Sequence, residues 1–72
     1  MIVALKSKQV KEILARKHMS QNGFAIRLDV SSGYMSQLMS GVRNPSPALR
    51  EKISAVLKVN ESEFDQIFEL KA

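Results

Sequence analysis

Hydrogen-bonding side chains are concentrated between Ser20 and Asn44, where serines and amides are frequent and Asp29 is the only acidic residue. Amide and hydroxyl groups both donate and accept hydrogen bonds, so they can bind the edges of DNA bases. Arg43 adds a positive charge suited to phosphate. These residue types predict a surface that binds double-stranded DNA. The alternative is a domain whose polar face is only solvated.

Patterns typical of catalysis or metal binding are absent from the sequence. There is no cysteine, and His18 is the only histidine, so no thiolate or imidazole cluster is available. No nucleophile stands at a suggestive spacing from a base, and no glycine-rich loop could hold a phosphate. We therefore predict no enzymatic activity, no catalytic residue, no metal and no cofactor. His18 is interpreted as the end of a helix.

Charge is distributed unevenly along the 72 residues, whose net charge is +4. Residues 1–36 hold six Lys or Arg against two acidic residues, whereas residues 61–72 hold one Lys against four. This division suits one side that faces a polyanion and another that is turned away from it. No apolar run approaches the roughly 18 residues that suggest a membrane span. We expect a cytoplasmic protein associated with the nucleoid of a bacterial host, without a membrane partner.

The elements that must position the polar residues are helices, because apolar residues recur at helical spacing. Val10, Ile13 and Leu14 follow this spacing, as do Phe64, Ile67 and Phe68. No window alternates strictly enough to predict a strand. We predict one all-α domain over residues 1–72. Its five helices cover about 6–18, 21–28, 32–40, 47–57 and 61–69.

Helix starts and ends have recognisable residues. A side chain that can accept a hydrogen bond from the first turn precedes each predicted helix, at Ser7, Ser20, Ser31, Ser46 and Asn60. Pro47 fits the first turn, and Glu63 can form a capping box with Asn60. His18 and Asp29 fall where the chain needs a left-handed residue to leave a helix.

The second and third predicted helices have the order of a helix-turn-helix. Apolar residues of both helices can form a buried seam: Phe24, Ala25 and Leu28 from one, Met35 and Leu38 from the other. The outward face of the third helix is then short and polar. Gln37 can pair with adenine, and the start of the second helix can bind phosphate through Gln21 and Asn22. Arg43 and Asn44 can hold the next phosphates.

The sequence resembles the Cro/CI-type (XRE-like) helix-turn-helix family over about residues 8–68. The resemblance is carried by Ser20-Gln21, Phe24-Ala25, Val30-Ser31, Tyr34-Met35-Ser36-Gln37-Leu38 and Gly41-Val42-Arg43-Asn44-Pro45-Ser46. It implies a compact lambda-repressor-like domain that binds operator DNA, usually as a dimer, to regulate transcription. By position, base-reading residues would be Ser32, Gly33, Ser36 and Gln37. Phosphate contacts would come from Gln21, Asn22, Tyr34, Ser40, Arg43 and Asn44, although the Tyr34 ring could instead pack beside the core.

Apolar residues in excess of what a small core needs raise the possibility of a protein partner. The candidate surface comprises Met39, Ile67, Phe68 and Leu70; alternatively, the termini fold back and complete the core. The short chain resembles two kinds of regulator of temperate bacteriophage lysogeny switches. One is a small Cro-like repressor. The other is an antirepressor, a modulator of repression that binds a cognate phage repressor and has weak or no DNA binding of its own.

Overall fold

Serine caps start three of the four α-helices in the computed structural model, which describes all residues from 1 to 72. These helices are α2 (Gln21–Leu28), α3 (Ser32–Ser40) and α4 (Pro47–Leu57). The hydroxyl oxygens of Ser20, Ser31 and Ser46 accept hydrogen bonds from backbone N–H groups three residues later, at 2.9, 3.1 and 3.2 Å. The three caps are confirmed, as is the place of Pro47 in the first turn of α4.

The first helix, α1 (Ser7–Arg16), starts differently from the prediction. Lys6 occupies the N-cap position and no side chain caps the helix. Ser7 is the first helical residue, and its hydroxyl donates to the carbonyl oxygen of Met39 at 2.6 Å. The prediction of Ser7 as a cap was therefore wrong. Through this hydrogen bond Ser7 instead connects the start of α1 to the end of α3, although the two residues are far apart in sequence.

Three non-glycine residues leave helices through the left-handed region. His18 (φ 55°) and Asp29 (φ 59°) do so after α1 and α2, as predicted. Lys58 (φ 56°) does the same after α4, and Gly41 (φ 84°) ends α3. A left-handed residue reverses the direction of the chain at the end of a helix. Its N–H group and those of its neighbours can then donate hydrogen bonds to carbonyl oxygens of the last helical turn, and the helix ends there.

The C-terminal segment corrects the predicted helix over 61–69. A 3₁₀ helix spans Glu61–Gln66, and strand β2 (Phe68–Lys71) follows it. The Glu63 carboxylate accepts from the Asn60 N–H at 3.2 Å, as the capping box predicted. The chain then becomes extended, because strand β1 (Ile2–Leu5) pairs with β2 antiparallel, with Leu5 opposite Phe68 and Ile2 opposite Lys71.

Three of the four residues of the predicted partner surface are buried in the core. Met39 is 8% exposed, and Ile67 and Phe68 are 0% and 1% exposed, because the terminal segments fold back over the helices. The Phe64 and Phe68 rings pack 5.0 Å apart between centroids. Of the four predicted surface residues, only Leu70 is exposed, at 53%. The chain is thus mostly helical as predicted, with an added two-stranded sheet that closes the core. None of its helices is long and apolar enough to span a bilayer.

Candidate nucleic-acid interface

The seam between α2 and α3 is built as the sequence predicted. Phe24, Ala25 and Leu28 face Met35 and Leu38 in the core, and each is at most 1% exposed. Burial of these side chains fixes which faces of the two helices remain outside. The polar residues between the apolar positions are consequently presented to solvent.

The turn between α2 and α3 is short and closed by backbone hydrogen bonds. The N–H of Val30 donates to the carbonyl of Ala25 at 3.0 Å, and that of Asp29 donates to Ile26 at 3.1 Å. Val30 is half-buried against the core. Ser31 then caps α3 in extended conformation. The turn therefore sets the angle at which the first residues of α3 leave the core.

The N-terminal ends of α2 and α3 meet around a shallow depression of about 220 Å³. Its lining includes four of the predicted contact residues from both helices: Gln21, Asn22, Ser32 and Ser36, with Met35 at its base. The Gln21 side-chain amide donates to the Ser36 hydroxyl at 3.3 Å. Free backbone N–H groups and the positive end of the dipole at such helix starts favour an anion.

A second group of predicted residues meets at the other end of α3. The Arg43 Nε–H donates to the side-chain oxygen of Gln37, and its guanidinium lies over the Tyr34 ring, 5.5 Å from the centroid. The Tyr34 ring is half-buried and packs beside the core. Arg43 is thus held in place by a hydrogen bond and a cation–π contact. Gln37 is oriented in turn, with its amide N–H groups left free to donate.

The end of α3 is tied down through one carbonyl oxygen. The backbone oxygen of Gln37 accepts from the Arg43 N–H and from the Ser40 hydroxyl, both at 3.2 Å. Asn44 follows in the exposed part of the loop. The structure thereby brings Tyr34, Gln37, Ser40 and Arg43 into one cluster, which lies along the same helix as the depression at its start.

Ser32 and Gly33 occupy the exposed first turn of α3. A β-carbon built on Gly33 would meet nothing within 4 Å, so the space outside this position is open. Two of the predicted base-reading positions therefore reach little beyond the backbone, because Ser32 has a short side chain and Gly33 has none. Nothing in the fold prevents them from approaching a ligand.

Sequence reasoning missed Arg50, which positions the loop after α3. Its Nη1 donates to the carbonyl oxygen of Pro45 at 3.1 Å, and Pro45 is buried. This contact joins the loop that carries Arg43 and Asn44 to α4. An arginine in the first turns of a helix gives no local indication of such a bond, because the loop path decides it.

Two acidic residues of the C-terminal segment line grooves that contain no residue of α3. Glu61 lines a groove against α4, and Asp65 lines another against α1, near Arg16. The stretch from Ser20 to Asn44 holds Arg27 and Arg43 against Asp29. The placement of Glu61 and Asp65 in grooves beside other helices agrees with an α3 side that faces a polyanion.

One comparison with known proteins gives a match. A family model described as "Helix-turn-helix" matches residues 10–64. The matched range runs from α1 into the 3₁₀ helix and contains α2, α3 and the loop after them, whereas β1 and β2 lie outside it. No curated protein and no solved structure shows significant similarity to the chain.

Proposed function

Because the chain belongs to the Cro/CI-type (XRE) helix-turn-helix family and is a DNA-binding regulator of transcription, we propose that it represses transcription by binding an operator through α3. The observation that carries the proposal is the buried α2–α3 seam. This seam leaves a face of hydroxyls, amides and Arg43 exposed outside the core. A helix held in this way can enter the major groove with its first residues foremost.

Base reading is assigned to Ser32, Gly33, Ser36 and Gln37. Gln37 has the longest reach of these. Its oxygen has two lone pairs, so the bond from Arg43 leaves one to accept from adenine N6 while the amide donates to N7. Ser32 and Gly33 would contribute mainly by allowing the helix backbone to approach the DNA closely.

Phosphate binding is assigned to residues at both ends of α3 and at the start of α2: Gln21, Asn22, Tyr34, Ser40, Arg43 and Asn44. Phosphate contacts fix orientation and supply salt-dependent affinity, whereas base contacts supply specificity. With few long side chains on α3, affinity would rest largely on the phosphate contacts.

Selection of bound duplexes from a random-sequence library tests operator binding directly. We expect one motif to be enriched, and its affinity to fall steeply with salt because bound cations are released from phosphates. A promoter carrying that motif should be repressed by the chain in cells. Equal retention of all sequences at moderate salt would contradict the proposal.

We also propose a setting, the lysogeny switch of a temperate bacteriophage, with action at the host nucleoid. The support is the resemblance of the residue pattern to small Cro-like repressors. A divergently transcribed repressor gene and an integrase gene beside the coding sequence are the expected observation. A neighbourhood of unrelated metabolic genes would contradict this setting while leaving operator binding intact.

A second candidate function is antirepression by binding a cognate phage repressor. The observation that favours it is the open space outside Gly33, next to the short Ser32, because this leaves α3 with little base-reading reach. Burial of Met39, Ile67 and Phe68 removes most of the apolar surface that first suggested such a partner. Co-purification with the neighbouring repressor, together with failure to enrich any DNA motif, would favour this function over the first.

A further inference from the structure

Asn22 and Gly23 form a pair of residues that can react with each other. The Asn22 side chain is exposed, and glycine has no β-carbon to hinder the approach of its backbone nitrogen to a neighbouring group. Attack of the Gly23 nitrogen on the side-chain carbonyl carbon of Asn22 forms a new C–N bond and closes a five-membered succinimide, while the side-chain nitrogen leaves as ammonia. Water then opens the ring, and the product is aspartate or isoaspartate, each with one carboxylate in place of the amide.

The other two asparagines of the chain are less suited to this reaction. Asn44 is followed by Pro45, which has no N–H to lose when a ring closes. Asn60 is followed by Glu61, whose side chain crowds the backbone nitrogen. The covalent structure of the chain therefore favours deamidation at Asn22.

The fold restrains this reaction through the cap of α2. The Gly23 N–H, which must lose its proton when the nitrogen attacks, donates to the Ser20 hydroxyl oxygen at 2.9 Å. Asn22 lies in the first turn of α2, and a succinimide fixes its ψ outside the α-helical region. The ring can therefore close only when the first turn opens locally, and the Ser20 cap opposes that opening.

The position of Asn22 gives the product a consequence for binding. Asn22 lines the depression where the N-terminal ends of α2 and α3 meet, together with Gln21, Ser32 and Ser36. A carboxylate in the first turn of a helix is favoured by the helix dipole, so an aspartate at this position is compatible with the fold. The same negative charge would repel a DNA phosphate that approaches the depression.

We propose that Asn22 is a site of spontaneous deamidation restrained by the Ser20 cap, and that the modified chain binds DNA more weakly. The second part rests on the proposed DNA binding, whereas the first part does not. The reaction consumes only water and releases ammonia, so modified chains accumulate with the time that the first turn of α2 spends open.

Incubation of the intact chain at mildly alkaline pH, followed by peptide mass spectrometry against an unincubated sample, tests the first part. Trypsin cleaves after lysine and arginine, so the three asparagines fall in separate peptides, residues 18–27, 44–50 and 59–71. We expect conversion of amide to acid to be fastest in the peptide that contains Asn22. Ser20→Ala should raise its rate about fivefold, the factor by which loss of an N-cap shifts a local opening equilibrium.

The matched control is Ser31→Ala, which removes the corresponding cap of α3. Its loss of stability should be similar, yet the rate at Asn22 should stay within about twofold of the original, because the opening of α2 is local. Equal acceleration by the two serine variants would overturn the role of the Ser20 cap. Conversion of Asn60 as fast as that of Asn22 would overturn the assignment of the site.

Titration of a labelled mixed-sequence duplex at several salt concentrations tests the second part. Asn22→Asp reproduces the aspartate product and should weaken binding about fivefold or more, with a salt slope lower by about one. Incubated original chain should lose affinity in proportion to its converted fraction. An Asn22→Gln chain, whose longer side chain would have to close a six-membered ring, should keep its own starting affinity through the same incubation.

Two outcomes separate this proposal from the proposed function. Equal binding by the original chain and the Asn22→Asp variant would overturn the second part, and urea unfolding of the variant verifies that any loss of binding is not a loss of fold. Absence of DNA binding by the fresh chain would contradict the proposed function and the second part together. The mass measurement would still decide the first part.

Discussion

The α2–α3 pair and the terminal sheet differ in how far along the chain their contacts reach. Each serine cap bonds three residues ahead, and the turn closes from Val30 to Ala25. The sheet joins Ile2 to Lys71, across nearly the whole chain. The family match covers the first region and omits the second. The α2–α3 region is thus specified by local contacts, and the sheet that completes the core is specified by contacts between the two ends of the chain.

The substitution with the largest expected effect tests whether the sheet stabilises the whole domain. Phe68 is 1% exposed and packs against Phe64, so Phe68→Ala should lower the free energy of unfolding by about 3–5 kcal/mol. That is a large share of the stability of a domain this small. Urea unfolding monitored by circular dichroism measures the loss.

Two further variants make this test interpretable. Phe68→Leu removes less volume and should fold with a smaller loss, which keeps the experiment informative if Phe68→Ala is unfolded. Ile26→Ala removes an apolar side chain from α2 that is 72% exposed, and it should change the stability by no more than about 0.5 kcal/mol. Equal effects of the Phe68 and Ile26 substitutions would mean that the sheet is dispensable.

The unequal reach of these contacts explains what the sequence could predict. The seam and the caps at Ser20, Ser31 and Ser46 follow from spacings of three or four residues, which a short window contains. Within a similarly short window, the spacing of Phe64, Ile67 and Phe68 fits an α-helix as well as it fits the observed 3₁₀ helix followed by a strand. Extension of Phe68 is decided by β1, more than sixty residues away, and no local pattern reports that pairing.

The same distinction applies within the candidate interface. The order of polar residues on α3 is visible in the sequence. The sequence does not show that Arg43 bonds Gln37 and stacks on Tyr34, because both contacts depend on the path of the loop after Gly41. Ser7 and Arg50 were likewise missed or misassigned, since each binds a carbonyl oxygen that only the fold brings near.

A test of intermediate size concerns the Gln37–Arg43 pair. Gln37→Ala should reduce discrimination at one base pair by about 1–3 kcal/mol. Arg43→Ala should weaken binding to all sequences and lower the salt slope by about one. It should also relax discrimination at the Gln37 base pair, because Gln37 loses the group that orients it. Titration of labelled duplexes at several salt concentrations measures both effects.

A double-mutant cycle separates orientation from simple charge loss. If Arg43 positions Gln37, the two substitutions together should cost less discrimination than the sum of the single losses. Arg16→Ala is the matched control, since Arg16 lies on α1 beside the 3₁₀ helix and away from α3. Additive effects of Gln37→Ala and Arg43→Ala would show that the hydrogen bond does not contribute to base reading.

A smaller test addresses the local determinants of α3, using two adjacent serines. Ser31 caps the helix by accepting from the Tyr34 N–H at 3.1 Å, so Ser31→Ala should cost about 1 kcal/mol of unfolding free energy. Ser32 is exposed in the first turn, and Ser32→Ala should change stability by no more than about 0.5 kcal/mol. Chemical denaturation compares them. A reversed order would contradict the assignment of Ser31 as the cap.

The smallest test uses the two glycines of the α2–α3 pair. A β-carbon at Gly33 would meet no atom within 4 Å, whereas one at Gly23 would lie 3.2 Å from the Ser20 hydroxyl oxygen. Alanine in a helix is favoured over glycine by about 0.5–1 kcal/mol. Gly33→Ala should realise up to that gain, as a rise in the denaturation midpoint. Gly23→Ala should realise less, because the new methyl group presses on the oxygen that caps α2. An equal gain at both positions would show that the cap yields without loss.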